Sequence, residues 1–450
     1  MKKYFALIGA AVLIVALSAP AMAQDWTKGF KSTSLFQIWT GWIQKQEFNN
    51  GGTAATTDDD KDRNTRYIGS RINFYLEYGD AKFARGVIGF EADSTNWGES
   101  SYTAGEFGSG SANRMGVGSA DQVQLEIKHA YVDFVIPNTP LSVTAGIQGF
   151  AYGGRLFQSR DMPGLKLTAN FAPHQVQAFW WRENETDRNT YQVNDTYGLQ
   201  YSLTQKLFNV YAYGAYKNDL RSAVYADNPY WIGVGGGFRP GNLSLSGQLV
   251  YLGGTRDYVA ADDVDYKAWA AEILAQYQIG PGMSVAVEGF YATGNDADKT
   301  DEINIYQRPF GSESHANFGL GRTVFFWMNF SEFGNQTNKQ SDFGGMYYGR
   351  VNFNYSPLAW LNLSFNYLYI GDTSKGTDGL SGINSPVGAR TDKDEDFIGH
   401  EINLITKFRI YNNLTYNIGV GYFIPGAVYD QPGKDADAAY AVNTGMQLAF

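Results

Sequence analysis

The chain contains no cysteine. In an exported protein that absence excludes a disulfide framework, thiol chemistry and covalent haem attachment through Cys-x-x-Cys-His. Charge is scarce as well: charged residues are 18% of the chain, below the usual quarter. The formal net charge of −10 leaves no broad basic surface for nucleic acid. Past the first residues there is no apolar run of the ~20 residues that a transmembrane helix needs. A Gly-x-Ser-x-Gly motif is missing too. The four histidines, His129, His174, His315 and His400, are scattered over a strand, a turn, a loop and a strand. His400 falls on the apolar side of its strand. No Ser–His or Asp–His pairing follows, so neither an enzyme nor a cofactor or metal centre is expected.

Aromatic residues are abundant, with 31 Tyr and 29 Phe, and there are 52 Gly. Few charges with many Tyr and Phe suit a surface that meets lipid. The first residues give the compartment. Lys2 and Lys3 form a positive start, Tyr4 to Leu17 is mostly apolar, and Ala21-Met22-Ala23 offers small residues at the positions read by a signal peptidase. This reads as a secretory signal over 1–23, cut before Gln24. A retained anchor is the weaker reading, because the apolar stretch is short. Removing Lys2 and Lys3 takes the net charge from −10 to −12. Residues 24–450 then form one domain.

The dominant period is two. In 71–78, Ile72, Phe74, Leu76 and Tyr78 alternate with Arg71, Asn73, Tyr75 and Glu77. In 414–422, Leu414, Tyr416, Ile418, Val420 and Tyr422 alternate with Thr415, Asn417, Gly419 and Gly421. Alternation of this kind sends an apolar set to one face of a sheet and a polar set to the other. Strands are expected near 34–44, 67–78, 83–93, 123–135, 141–148, 164–171, 175–182, 195–203, 208–217, 230–239, 243–252, 266–277, 284–293, 346–355, 361–370, 397–410, 414–423 and 439–450.

The links between them alternate strictly. Short ones, such as Gly79-Asp80 and Ala172 to His174, separate longer ones, among them 94–122, 149–163 and 294–345. Short turns at one end and long loops at the other are the pattern of a bacterial outer-membrane barrel. The expected fold is therefore an all-β, transmembrane, antiparallel up-and-down β-barrel of about eighteen strands, with sixteen or twenty as alternatives. In hydrocarbon each unpaired backbone group costs several kcal/mol, and closure of the sheet removes its edges. The last strand ends on an aromatic, Phe450, with Tyr440, Val442, Met446 and Leu448 on the same face. Such an ending resembles the signal read by the outer-membrane barrel-assembly machinery.

In chain order the strings Ile127-Lys-His-Ala-Tyr-Val-Asp-Phe134, Pro137-Asn-Thr-Pro140, Val143-Thr-Ala-Gly-Ile-Gln148 and Ala178-Phe-Trp-Trp-Arg182 resemble the homotrimeric outer-membrane porins of sulfate-reducing and related bacteria. More loosely, Lys128–Asp133 followed by Ala145–Gln148 is similar to the fourth and fifth strands of general porins. The resemblance implies a homotrimer and passive diffusion of small hydrophilic solutes and ions. General porins carry Gly-Arg-Gln after the fifth strand. This chain has Gly146-Ile147-Gln148, so no basic residue is expected there.

A porin needs a wet lumen, a constriction and a charge pattern in it. Alternation points Arg71, Tyr75, Glu77, Arg85, Glu91, Asp93, Glu126, Asp133 and Arg182 inward in the first half. Lys267, Glu272, Glu288, Arg350, Glu401, Lys407 and Arg409 follow in the second. In sixteen-stranded porins the loop after the fifth strand folds into the lumen. Here that loop is 149–163, and Arg155, Arg160 and Asp161 would charge the passage. The longest loop, 294–345, is a second candidate. Its segment Thr323–Phe330 is apolar enough to plug the barrel, cover a neighbouring protomer or pair with Ile303–Tyr306. The acidic stretches Asp58–Asp62 and Asp392–Asp396 read as solvated loop tips, with bridging of lipopolysaccharide through divalent ions as the alternative.

The leading functional reading is a water-filled porin in contact with outer-membrane lipid and lipopolysaccharide. The alternative is a substrate-specific channel for a sugar or organic acid, for which Tyr75, Phe179, Trp181 and Phe423 would supply a lumen-facing aromatic slide. A structural barrel with a filled lumen is less favoured. So is an energised transporter, since the first strand begins soon after Gln24 and leaves no room for an N-terminal plug.

Overall fold

In a computed structural model the described residues are 29–44, 65–94, 96–97, 114–115, 125–187, 192–296, 298–309, 323–324, 344–375, 395–429, 435 and 438–450. The expected signal, its cleavage residues Ala21, Ala23 and Gln24, and the tip Asp58–Asp62 lie outside them, as do Asp392 to Asp394.

The chain forms a closed antiparallel barrel of eighteen strands. They are β1 (Lys31–Gln44), β2 (Thr65–Asp80), β3 (Ala84–Ser94), β4 (Leu125–Val135), β5 (Leu141–Tyr152) and β6 (Gln158–Phe171). There follow β7 (His174–Asp187), β8 (Gln192–Thr204), β9 (Phe208–Asp219), β10 (Tyr225–Phe238), β11 (Leu243–Tyr258) and β12 (Ala268–Gly280). The last six are β13 (Met283–Ala292), β14 (Met346–Leu358), β15 (Leu361–Asp372), β16 (Phe397–Tyr411), β17 (Leu414–Pro425) and β18 (Ala439–Ala449). Each strand pairs with its sequence neighbours, and β1 closes the ring on β18 from Leu35↔Ala449 to Gln44↔Tyr440. At the seam the Phe450 N–H donates to the Ser34 carbonyl at 2.9 Å, and its ring meets Phe36 edge-on at 5.9 Å.

The expected alternation explains the exterior. Phe74, Ile88, Val132, Leu199, Val210, Ile232, Val234, Leu249, Ile273, Val351 and Phe365 are all exposed. A soluble protein would not tolerate so continuous an apolar belt. Aromatic pairs stack near both rims, including Trp269–Tyr291 at 4.7 Å and Trp360–Phe408 at 6.3 Å. These are the girdles of a membrane-spanning barrel.

Several links expected to be long are short. The expected loop 149–163 contracts to 153–157, and 218–229 to 220–224. At 218–229 apolar alternation stops at the membrane boundary but the ladder continues on polar pairs such as Asp227↔Arg256, whereas at 149–163 the paired strands leave the wall together. Among the described residues the longest link adds no hairpin to the wall, and β13 pairs directly with β14. Glu302–Ile303 pairs in parallel with Asp265–Tyr266 instead, so the count stays at eighteen.

Candidate pore constriction

Among the described residues, two stretches turn into the lumen. The first is the hairpin of β5 and β6. Pairing of β4 with β5 ends at Ala130↔Ile147, while β5 and β6 stay paired up to Tyr152↔Gln158. Gly153 and Gly154 turn the tip at φ +60° and +57°, where a Cβ would meet the Tyr213 ring at 2.5 Å and Gln248 Oε1 at 2.6 Å. Glycine is needed there on both counts. One helical turn, Gly154–Phe157, then buries Leu156 and Phe157.

The hairpin packs on an aromatic arc of the wall formed by β7 to β10. Phe150 lies 5.2 Å from Trp181, Tyr152 stacks on Phe179 at 4.0 Å, and Phe157 lies 4.7 Å from Tyr213 and 5.9 Å from Trp231. Trp181 is fully buried, at 0% exposure. Each large side chain so buried contributes about 1.5–3 kcal/mol. The arc therefore holds the hairpin in place.

The second comes from the link between β13 and β14, through its described residues 303–309 and 323–324. Near its start it lies against the aromatic arc. The Trp231 indole donates to the Gln307 carbonyl at 2.8 Å and Lys217 Nζ to the Pro309 carbonyl at 2.8 Å. The Tyr306 hydroxyl donates to the Leu156 carbonyl at 2.5 Å, so the two inward segments meet. Further on, Thr323 and Val324 sit on the other side of the ring. The Val324 N–H donates to Glu401 Oε1 of β16 at 2.6 Å, and the Thr323 hydroxyl reaches the same carboxylate. Asn443 of β18 donates to the Val324 carbonyl at 2.5 Å. The link thus touches β9 and β10 and also β16 and β18, nearly opposite in a ring of eighteen.

Facing the hairpin is a charged arc on β2 to β4. Arg85 donates to Glu77 at 2.9 Å and to Asp133 at 3.3 Å. Lys128 bridges Glu91 at 2.8 Å and Asp161 of the hairpin at 3.1 Å, and His129 Nε2 lies 2.9 Å from Asp161. Arg71 Nε is 3.7 Å from Glu91. Arg71 and Arg85 keep 35% and 26% of their side chains exposed, so water and solute reach this arc.

The bulge between β3 and β4 organises it. Gly89 pairs with His129 and Phe90 with Ile127, which leaves Lys128 as an extra residue. Glu126 and Asp133, both expected inside, lie seven apart and share a face only because of that insertion. Lys128 was not among the expected lumen residues. Glu183 and Lys217 were also missed. They pair at 3.0 Å in the lumen, with Asn194 and Thr196 donating to Glu183. Alternation from Tyr213 and Ala215 would have found Lys217.

Of the expected residues, Arg71, Tyr75, Glu77, Arg85, Glu91, Glu126 and Asp161 come together on or against the charged arc. Tyr75 lies 5.3 Å from the His129 ring. Arg160 pairs across the hairpin with Phe150. The Arg155 side chain lies outside the described residues. Arg350 and Glu401 point inward but are covered. Arg350 is held by Glu288 at 2.7 Å and by Asn366 at 2.9 Å.

Arg182 is a correction. Trp181 takes the lumen face, so its neighbour must take the other. Arg182 sits on the outer face, 2.8 Å from Asp195 and over the Trp180 ring at 5.8 Å. The aromatic slide is corrected too. Phe179, Trp181 and Phe423 face inward but are buried, and two of them serve as the seat of the hairpin.

No protein-family model matches the chain. No curated protein matches it in sequence either. The fold is similar to that of outer-membrane porins of the Occ group. OccAB1 of Acinetobacter baumannii aligns over 94% of this chain and 98% of its own, at 12% identity and a TM-score of 0.53. OccK9 (OpdG) of Pseudomonas aeruginosa aligns over 95% and 100%, at 12% identity and 0.53. OccK8 (OprE) of the same organism aligns over 93% and 98%, at 10% identity and 0.52. At such identities the likeness is one of fold.

Proposed function

We propose that the chain is a substrate-specific channel of the Gram-negative outer membrane, passing small charged hydrophilic solutes by passive diffusion. One observation carries this reading. Two inward segments meet through Tyr306 and Leu156, and one of them also reaches the far wall at Glu401. Among the described residues they cover the aromatic side of the lumen, while Arg71, Arg85, Glu77 and Asp133 on the charged arc stay partly exposed, and the proposed passage runs beside that arc. General diffusion, the leading sequence reading, needs a wider opening. That the structural neighbours are substrate-specific outer-membrane channels favours the narrower one. Charges of both signs along a narrow passage favour an ionic or dipolar solute such as an organic acid. A sugar would need an exposed aromatic slide, and these aromatics are already occupied.

The same proposal includes export through residues 1–23, recognition of the last strand by the assembly machinery, contact with lipid and lipopolysaccharide, and assembly as a homotrimer. The trimer rests on the sequence resemblance. Catalysis has no part in the reading.

The test is single-channel conductance of the refolded 24–450 protein in a planar bilayer under a salt gradient, followed by a panel of organic acids, amino acids and sugars. Small steps blocked saturably by a charged solute are expected. Large ohmic steps without block would return the protein to general diffusion. A folded barrel without steps would mean a closed lumen.

A further inference from the structure

We propose that Glu401 is the positioning residue of the constriction: its carboxylate docks the link between β13 and β14 and so sets the width of the passage. The inference rests on the channel reading above.

Glu401 lies on the lumen face of β16 and is fully buried, at 0% exposure. A carboxylate in such a place is costly unless donors meet it. Here the donors include the link itself, through the Val324 N–H at 2.6 Å and the Thr323 hydroxyl. Asn443 grips the same residue from the other side, donating to the Val324 carbonyl at 2.5 Å. Between them Gly419 of β17 makes room, since a Cβ there would come within 3.1 Å of Val324 Cγ2. Three adjacent strands thus supply an acceptor, a hollow and a donor, matched to one stretch of backbone.

The cradle is braced from behind. Asn403 donates to Glu401 at 2.8 Å, Asn366 donates to Asn403 at 2.9 Å, and Arg350 bonds both Asn366 and Glu288. This buried chain holds the carboxylate in one orientation. Its dryness also identifies what covers it: a lumen wall without a docked segment would leave these groups to water. Lifting Thr323 and Val324 exchanges their bonds to Glu401 for bonds to water, so the strength of this contact governs how long they stay docked on the lumen wall. Glutamine keeps the shape but removes the charge, and its carboxamide nitrogen can bond Thr323 only if that hydroxyl turns from donor to acceptor.

The experiment uses the absence of native cysteine. Val324→Cys, at a buried position, is reacted with a charged methanethiosulfonate reagent in the folded barrel, with and without Glu401→Gln. Losing a charge-assisted bond is expected to raise the labelling rate about tenfold or more. In bilayers Glu401→Gln is expected to conduct more and be blocked less by solute. Thr323→Val, which leaves the barrel wall untouched, should move both readouts the same way, so a Glu401 variant that fails to fold does not end the test. Covalent docking in Thr323→Cys/Glu401→Cys should restore the parental conductance when oxidised and lose it when reduced. Unchanged labelling, or unchanged conductance in a conducting barrel, would overturn the proposal. A folded parent that conducts nothing would end the channel reading, while the labelling comparison would still decide the docking role of Glu401.

Discussion

Two arcs of one lumen wall differ in kind. On β7 to β10 the inward residues Phe179, Trp181, Tyr213 and Trp231 are buried. On β2 to β4 Arg71, Glu77, Arg85 and Asp133 remain partly exposed. The alternation that sends both sets inward is the same. The difference comes from what folds against them. An inward hairpin carrying Phe150, Tyr152, Leu156 and Phe157 gains most where it meets aromatic rings, and there it expels water. Against the charged arc it makes ion pairs through Asp161, which contribute less in a wet site. The arc that stays partly exposed is the one where burial contributes least.

The largest expected effect is at the seat of the hairpin. Trp181→Ala should destabilise the barrel by about 3–5 kcal/mol, read by urea titration in lipid vesicles, and raise its conductance. An unchanged conductance would mean that the arc does not hold the hairpin. Of comparable size, Arg350→Ala takes the charge partner from the buried Glu288, leaving it the Tyr348 hydroxyl, and should cost about 3–5 kcal/mol in the same titration. Tyr306→Phe removes only the hydroxyl shared with Leu156 and should cost about 1 kcal/mol.

Arg85→Ala, on the exposed arc, should cost less than about 1 kcal/mol, yet shift the reversal potential toward cations by leaving Glu77 and Asp133 uncompensated. A large loss of stability there would erase the distinction between the arcs.

The smallest effect is at Glu302 on the link between β13 and β14, which belongs to neither arc. At the loop-side rim, hydrogen bonds from Lys267, Lys299 and Asn304 lower the Glu302 carboxyl from 4.5 to about 2. A lowered folded value means that the contribution is complete above about pH 4.5 and is lost as pH falls through about 2. Infrared titration of the carboxylate band, with Glu302→Gln as the blank, should find Glu302 still ionised at pH 4.

The amino-acid sequence by itself determined the barrel. Period-two alternation in each strand, links of alternating length and the even count led to eighteen strands and to the apolar exterior. These are local properties, because a side chain's face is set by its neighbours one and two residues away. The lumen was legible only as a set of inward-facing residues. Local pattern does not show a bulge, and the extra residue at Lys128 reverses the facing of everything beyond it. Nor does it show which inward residues stay wet. That depended on meetings between distant parts of the chain: Leu156 with Tyr306, and Val324 with Glu401 and Asn443. Arg350 and Glu401 had the pattern of pore-lining charges and became a dry bracing network, whereas Arg71 and Arg85 had the same pattern and stayed in water. Burial depends on what packs from across the barrel, so only the tertiary structure decided between them.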